Sequence, residues 1–293
     1  MHINDPDRWN VLLEKAHEAQ VILAFENFRR NAIEPVLIKG WAAATNYPEH
    51  VRRRTGDIDL AVAPHDYERA LNLIRTPLFD GHFIDLHNGL RQLDTVGWET
   101  LYSNSILKTL EDKQVRVLSD EDHLRLLCIH WLIDGGRFKD KLWDIYYAVE
   151  NRNSNFDWSR CLEVVSPIRR RWVTCAIGIA HIYLGLDIGG LPFEAEAIKI
   201  PKWIKRCIEN EWKQSYNFEP ILTSTHDMRL FAHQIFRRIP PNPIRATIES
   251  EGDLYSNRRP IYQAKVVARR LGPFLQDSLH LMKVKMRGNA HNA

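Results

Sequence analysis

The sequence predicts an α+β fold, in which a small mixed β-sheet with flanking helices is followed by a mainly α-helical part. Two observations predict it. Over residues 1–118, amphipathic patterns alternate with short apolar runs that are bounded by Pro, Gly or Asp. From residue 119 onward, helical spacing continues almost without a break. We therefore expect an α/β domain at residues 1–118 and a helical domain at residues 119–293.

The N-terminal part begins with a helix, a short strand and a glycine turn. Residues 8–30 hold apolar residues at helical spacing and contain neither Pro nor Gly, which predicts one amphipathic helix. Glu34-Pro35 ends this pattern, and the apolar run at residues 36–38 predicts a strand. Gly40 then opens a helical stretch at residues 41–47, which Pro48 ends.

Three more strands are expected before the helical part. Residues 58–63 alternate between apolar and other side chains and predict a second strand, and a helix is expected at residues 66–75. Residues 82–86 and 115–117 are shorter strand candidates. Ser119, with Asp122 three residues later, is a candidate N-cap for the first helix of the helical part.

Composition indicates a folded globular protein. The chain has 293 residues, of which 44% are hydrophobic, enough to form a buried core. The longest apolar run, residues 172–186, is shorter than a bilayer requires and contains Thr174 and His181, so we expect a buried helix there. The N-terminus has no basic n-region and no apolar h-region, which makes a cytoplasmic location the expectation. The four cysteines form no C-x-x-C pair, so neither structural zinc nor a disulfide framework is predicted.

Positive charge is concentrated in the C-terminal third. The net charge of the whole chain is +3, yet residues 201–293 contain 16 Lys and Arg against 8 Asp and Glu. Basic pairs such as Arg237-Arg238 and Arg258-Arg259 contribute to this excess. Such clustering fits either a polyanion-binding surface, for example for RNA, or a solvated helical surface. The sequence leaves both open.

Two aspartates one residue apart stand at the start of the second predicted strand. Residues i and i+2 of a strand point to the same side, so Asp57 and Asp59 would project together, roughly 6 to 7 Å apart. Like charges so close require a cation, and Mg²⁺ is commonly held by one or two carboxylates together with substrate phosphates. Asp85, on the next predicted strand, is the candidate third carboxylate. The pattern predicts a metal and nucleotide site.

Several segments together resemble the polymerase-β-type nucleotidyltransferase superfamily: LIKGWAAATNYP, RTGDIDLAV and HFIDLH. The nearest likeness is a poorly characterised group with a Lys-Gly motif, then Arg and Asp-x-Asp, and later Asp-x-His. The following helical segments, which contain His130 and Asp144, also resemble that group. The resemblance covers about residues 10–150. It implies that residues 1–118 are the nucleotidyltransferase domain and that residues 119–293 complete the substrate cleft.

The resemblance also implies roles for individual residues. Asp57, Asp59 and Asp85 would hold Mg²⁺, with Asp85 also assisting removal of the acceptor proton. The superfamily usually has Gly-Ser or Gly-Gly at its phosphate turn, whereas this chain has Trp41 after the glycine. Six residues would bind the nucleoside triphosphate: Lys39, Gly40, Trp41, Arg54, His87 and His130.

Two functions follow from these residues. The first is Mg²⁺-dependent transfer of a nucleoside monophosphate from an NTP to an acceptor such as RNA, a protein or a small molecule, with release of pyrophosphate. The second is a catalytically silent module on the same scaffold that binds nucleotide or RNA, for instance as a toxin–antitoxin or regulatory partner. The sequence contains neither a G-x-x-x-x-G-K-[ST] loop nor a G-x-S-x-G elbow, which argues against a P-loop NTPase and an α/β-hydrolase.

Overall fold

A computed structural model of the chain describes residues 6–53, 55–91, 93–214, 229 and 239–269. The chain divides into two compact units. The first consists of Met1–Trp131 and Lys139–Lys199, and the second of Leu132–Phe138 and Ile200–Ala293. The β-sheet lies in the first unit. The assignment of functional domains to residues 1–118 and 119–293 stays a prediction.

The expected mixed sheet is present. Its strands are β1 (Val36–Leu37), β2 (Ile58–Val62), β3 (Ile84–Asn88), β4 (Ile106–Leu110) and β5 (Lys113–Val117). Their order in the sheet is β3-β2-β1-β5-β4. Strands β2 and β3 are parallel, as are β1 and β5, whereas β1 is antiparallel to β2 and β4 is antiparallel to β5.

Strand β4 was not among the strands expected from the sequence. It forms a hairpin with β5 through Glu111 and Asp112, and Glu111 takes a left-handed backbone conformation with φ 56°. Gly or Asn normally occupies such a position and signals a hairpin turn. Since neither residue is present, the turn carries no recognisable signal.

Helices occur in both units. Their bounds are α1 (Pro6–Arg30), α2 (Trp41–Ala44), α3 (Tyr67–Leu73), α4 (Trp98–Asn104), α5 (Asp120–Ile133), α6 (Leu142–Glu150), α7 (Trp158–Leu162), α8 (Pro167–Leu184), α9 (Glu194–Ala197), α10 (Lys202–Trp212) and α11 (Pro243–Glu249). Residues 259–269 are also helical. Helix α1 covers the predicted segment 8–30, whereas α2 is one turn long and shorter than the predicted segment 41–47.

Helix α8 contains most of the apolar run that was expected to be a buried helix, and its central residues are buried. Ser166 caps its start by accepting a hydrogen bond from the Arg169 N–H at 3.2 Å, and Gly185 ends it with φ 75°. Among the described helices, none combines the length and the apolar character needed to cross a bilayer.

The hydrophobic core of the first unit lies between α1 and one face of the sheet. Ile58, Leu60 and Val62 of β2 pack in one buried cluster with Phe25 and Phe28 of α1. Because side chains alternate along a strand, Asp59 projects from the opposite face. The same alternation that buries the apolar residues therefore aims a carboxylate away from the core.

A buried ion network anchors α5 in the first unit. Arg125, 1% exposed, donates to Asp94 Oδ2 at 2.9 Å and to the backbone carbonyl of Arg160 at 3.1 Å, and it also contacts Asp122. The helix begins as predicted, since Ser119 Oγ accepts a hydrogen bond from the Asp122 N–H at 3.4 Å. These contacts tie the loop after β3 and the helix α7 to α5.

Candidate functional site

Three potential metal ligands converge on the two parallel strands β2 and β3. The register pairs Asp59 with Asp85 and Ala61 with His87, so all three polar side chains leave the same face of the sheet. One ligand atom from each of Asp59, Asp85 and His87 lies within 4.8 Å of the others. His87 Nε2 is 3.3 Å from Asp85 Oδ2 and 3.8 Å from Asp59 Oδ1. We call these three residues the metal-ligand cluster.

The carboxylates of this cluster are held in their charged form. Burial alone would raise the pKa of Asp59, but the nearby imidazole of His87 and the charge of Lys39 outweigh it and lower that pKa. The imidazole of His87 also lowers the pKa of Asp85. Burial opposes protonation of His87, yet the two neighbouring carboxylates raise the pKa of its imidazole to about 8. Near neutral pH, one imidazolium therefore lies beside two carboxylates.

Lys39 supplies a second positive charge at Asp59. It follows β1, is 9% exposed, and its ammonium contacts Asp59 Oδ1. The same ammonium lies 3.0 Å from Nε2 of His130 on α5. An ammonium can only donate, so His130 Nε2 accepts and the ring carries its proton on Nδ1. Lys39 is thus fixed between the sheet and α5.

A bidentate ion pair fixes Arg53 in the segment between α2 and β2. Its guanidinium donates to the two carboxylate oxygens of Asp144 at 2.6 and 2.8 Å. The hydroxyl of Tyr47 donates to Asp144 Oδ1 at 2.7 Å. Both charged side chains are largely buried, with 12% exposure for Arg53 and 6% for Asp144. Such a paired arginine has little freedom to reorient.

A small cavity of about 110 Å³ adjoins the metal-ligand cluster. Lys39, Arg53 and Lys141 bring positive charge to its wall, and Asp57, Asp59 and Asp144 bring negative charge. The other lining residues are Gly40, Thr55, Gly56, Leu127, His130 and Trp131. Cations beside paired carboxylates suit a polyphosphate that binds together with a divalent metal.

A larger cavity of about 670 Å³ lies next to Asp85. Asp85 and His87 both line it, together with Tyr67, Asn88 and Arg91. The side chain of Asp85 is 54% exposed. The metal-ligand cluster therefore borders two cavities, one small and lined by charges of both signs, and one large enough for a second molecule.

The predicted carboxylates occupy different positions in this site. Asp59 and Asp85 belong to the metal-ligand cluster, whereas Asp57 lies one residue before β2, is exposed and lines the small cavity. His87, predicted as a nucleotide contact, is the third member of the cluster. The structure therefore places an imidazole in the cluster and Asp57 outside it.

The residues predicted to contact the nucleotide also have different positions. Lys39, Gly40 and His130 line the small cavity. The side chain of Trp41 instead packs against the hydrophobic core, so only its backbone is available at the turn. Arg54 lies outside the described residues.

Sequence reasoning missed Arg53 and Lys141 as cavity residues. Arg53 is one of three consecutive arginines, and only its pairing with Asp144, 91 residues away, distinguishes it from its neighbours. Lys141 directly precedes α6 and carries no pattern of its own. These residues are brought together by tertiary contacts that a single sequence does not reveal.

The fold and the site thus define a class: a mixed sheet with flanking helices that presents paired carboxylates beside a cavity lined by charged side chains. A protein-family model described as an uncharacterised nucleotidyltransferase matches residues 3–77, which include Lys39, Gly40, Asp57 and Asp59. This match confirms the resemblance to a nucleotidyltransferase family in that part of the chain. Comparison with the curated proteins and with the solved structures gave no match.

Proposed function

We propose that the chain transfers a nucleoside monophosphate from an NTP to an acceptor, with release of pyrophosphate, in a reaction that depends on a divalent metal. The observation that carries the proposal is the metal-ligand cluster of Asp59, Asp85 and His87 beside the small cavity, whose wall holds three basic side chains. The family match over residues 3–77 supports the same class of activity.

The donor atoms of the cluster fit a divalent cation. Two carboxylates that are ionised near neutral pH are the ligands that Mg²⁺ prefers, and the imidazole of His87 also suits Mn²⁺ once it has lost its proton. Asp59, Asp85 and His87 would hold the ion, with Asp57 facing the phosphates from the cavity wall. When bound, the ion would neutralise phosphate charge during transfer.

The residues of the small cavity would bind the triphosphate. Lys39, Arg53 and Lys141 offset the negative charge of the phosphates and of the pyrophosphate that leaves. Because Lys39 and Arg53 are already held by partners, they lose little freedom when the nucleotide binds. The backbone at Gly40 allows the phosphates to approach closely, since no side chain stands there.

The acceptor would enter the large cavity next to Asp85. There the acceptor oxygen attacks the α-phosphorus, the bond to pyrophosphate breaks, and Asp85 takes the acceptor proton. His87, 3.3 Å from Asp85, orients that carboxylate. An anionic acceptor such as RNA is supported by the basic C-terminal third, although Arg237, Arg238 and the basic residues after Arg269 lie outside the described residues.

The test is a thermal-shift series with each of the four NTPs, with and without Mg²⁺ or Mn²⁺. A ligand at one hundred times its dissociation constant stabilises the folded protein by about 2.7 kcal/mol, so we expect a metal-dependent rise in melting temperature. Asp59→Asn should abolish the rise. Asp112→Asn is the matched control, since this exposed aspartate lies in the hairpin between β4 and β5.

Pyrophosphate release then separates the two candidate functions. Metal-dependent release in the presence of an acceptor, lost in Asp85→Asn, supports nucleotidyl transfer. If nucleotide binds equally well without metal and in Asp59→Asn, and no pyrophosphate is released, the transferase proposal is refuted and the silent binding module is favoured.

A further inference from the structure

The glycine turn before α2 borders a small space that a side chain would fill. Gly40 has φ 61°, and a Cβ built on it would lie 3.6 Å from the backbone carbonyl of Asp57 and 3.7 Å from Nε2 of His17. Gly40 also lines the small cavity. The absence of a side chain therefore leaves Nε2 of His17 facing the turn.

His17 is a buried polar residue without an evident structural role. It lies on α1 and is 6% exposed, and its Nε2 has no hydrogen-bond partner among the described residues. A buried polar atom without a partner costs stability, because it has given up its hydrogen bond to water. An unpaired group of this kind in a folded protein calls for a ligand or another function.

His17 is close enough to the cavity for two charged residues of the cavity wall to act on its ring. Burial lowers the pKa of its imidazole, and the charges of Asp57 and Arg53, which both line the cavity, act on it in opposite directions. The neutral ring at pH 7 can carry its proton on Nε2 and donate it. Trp41, the next residue after Gly40, packs against the core, so the side chain that faces this turn comes from α1.

We propose that His17 is a further polyphosphate-binding residue, whose Nε2–H donates a hydrogen bond to a phosphate oxygen lodged at the Gly40 turn. The ligand class is a di- or triphosphate chain, held on one side by the cations of the cavity and on the other by this imidazole. The inference rests on the proposed function, because the polyphosphate would be that of the bound NTP. The proposal assigns part of the polyphosphate-binding site to helix α1.

The experiment measures binding of two probes by calorimetry, inorganic tripolyphosphate and ATP, each with Mg²⁺. His17→Leu removes the donor but keeps the site apolar and filled, and His17→Gln retains an N–H donor at similar reach. The matched control is His82→Leu, since both ring nitrogens of His82 lack hydrogen-bond partners among the described residues and its ring packs on Phe79.

A hydrogen bond to a charged group changes affinity by about ten- to a hundredfold. We expect His17→Leu to weaken both probes by that factor, His17→Gln to recover most of the affinity, and His82→Leu to leave it unchanged. Without ligand, the melting temperature of His17→Leu should equal or exceed that of the wild type, because the variant removes an unpaired polar atom from a buried position.

The two probes keep the two proposals apart. Unchanged tripolyphosphate affinity in His17→Leu overturns the role of His17, even if ATP still binds and the transferase proposal stands. Tripolyphosphate binding that depends on His17, without any binding of nucleotide, supports His17 and refutes the transferase proposal. Loss of affinity in His17→Gln equal to that in His17→Leu, with both variants folded, would also overturn the role of His17, since the donor would then be irrelevant.

Discussion

Replacing Asp144 by Asn tests whether the buried ion pair holds Arg53 at the cavity. The variant keeps the shape of the side chain but removes the negative charge that two guanidinium bonds and the Tyr47 hydroxyl now share. Because the Arg53 side chain is only 12% exposed, its charge would remain largely buried without a counter-charge. The variant should therefore be less stable than the wild type and bind NTP more weakly.

The magnitude follows from the burial of the pair. Removing one partner of a buried ion pair costs about 3–5 kcal/mol, and Asn still accepts one hydrogen bond, so we expect about 3 kcal/mol. For a unit of nearly 200 residues, 1 kcal/mol corresponds to roughly 2–4 °C in melting temperature. The expected decrease for Asp144→Asn is therefore about 6–12 °C. Tyr47→Phe, which removes one hydroxyl donor from the same carboxylate, should cost about 1 kcal/mol.

Circular dichroism melts of four proteins provide the assay: wild type, Asp144→Asn, Arg53→Met and the double variant Arg53→Met/Asp144→Leu. Replacing a whole buried pair by apolar residues is often nearly neutral, so the double variant should be more stable than Asp144→Asn. The reasoning is refuted if the melting temperature of Asp144→Asn falls by less than 2 °C, or if the double variant is less stable than Asp144→Asn.

Two further predictions concern stability away from the cavity. Burial lowers the pKa of His123 to about 4, below the value of about 6.5 in an unfolded chain, so the unfolded state binds the extra proton first and stability falls as pH decreases through this window. Between pH 7 and pH 5 the loss from this group is about 2 kcal/mol, and urea titrations at both pH values should show that His123→Phe removes that part of the pH dependence. Gly178→Ala should cost about 3 kcal/mol or more, because its Cβ would lie 2.0 Å from the backbone carbonyl oxygen of Ala197. Gly56→Ala, where nothing lies within 4 Å of the added Cβ, is the control and should melt near the wild-type temperature.

The parts of the fold that follow local chemistry were predictable from the sequence. The helix over residues 8–30 and the strand over residues 58–63 carry clear periodicities, and the structure contains both. Strand β4 was missed because its hairpin turn uses Glu111 rather than Gly or Asn. Local patterns identify elements only where the turn residues follow the usual preferences.

The residues of the candidate site likewise differ in how well the sequence predicts them. Asp59 stands out because a carboxylate is unexpected in a buried strand, and Asp85 is the acidic residue of the next predicted strand. The strand register brings the two together. Lys141 carries no comparable signal, since it reaches the cavity wall only through contacts between distant segments. The position of Arg53 likewise depends on Asp144, which lies on a helix far along the chain.

The contact between Lys39 and Asp59 means that the protein carries its own counter-ion at the place where a metal would bind. An ammonium already offsets the charge of the most buried carboxylate of the cluster. A free cation would gain less at such a site than at a bare pair of carboxylates. We therefore expect the ion to bind more tightly together with its nucleotide than alone.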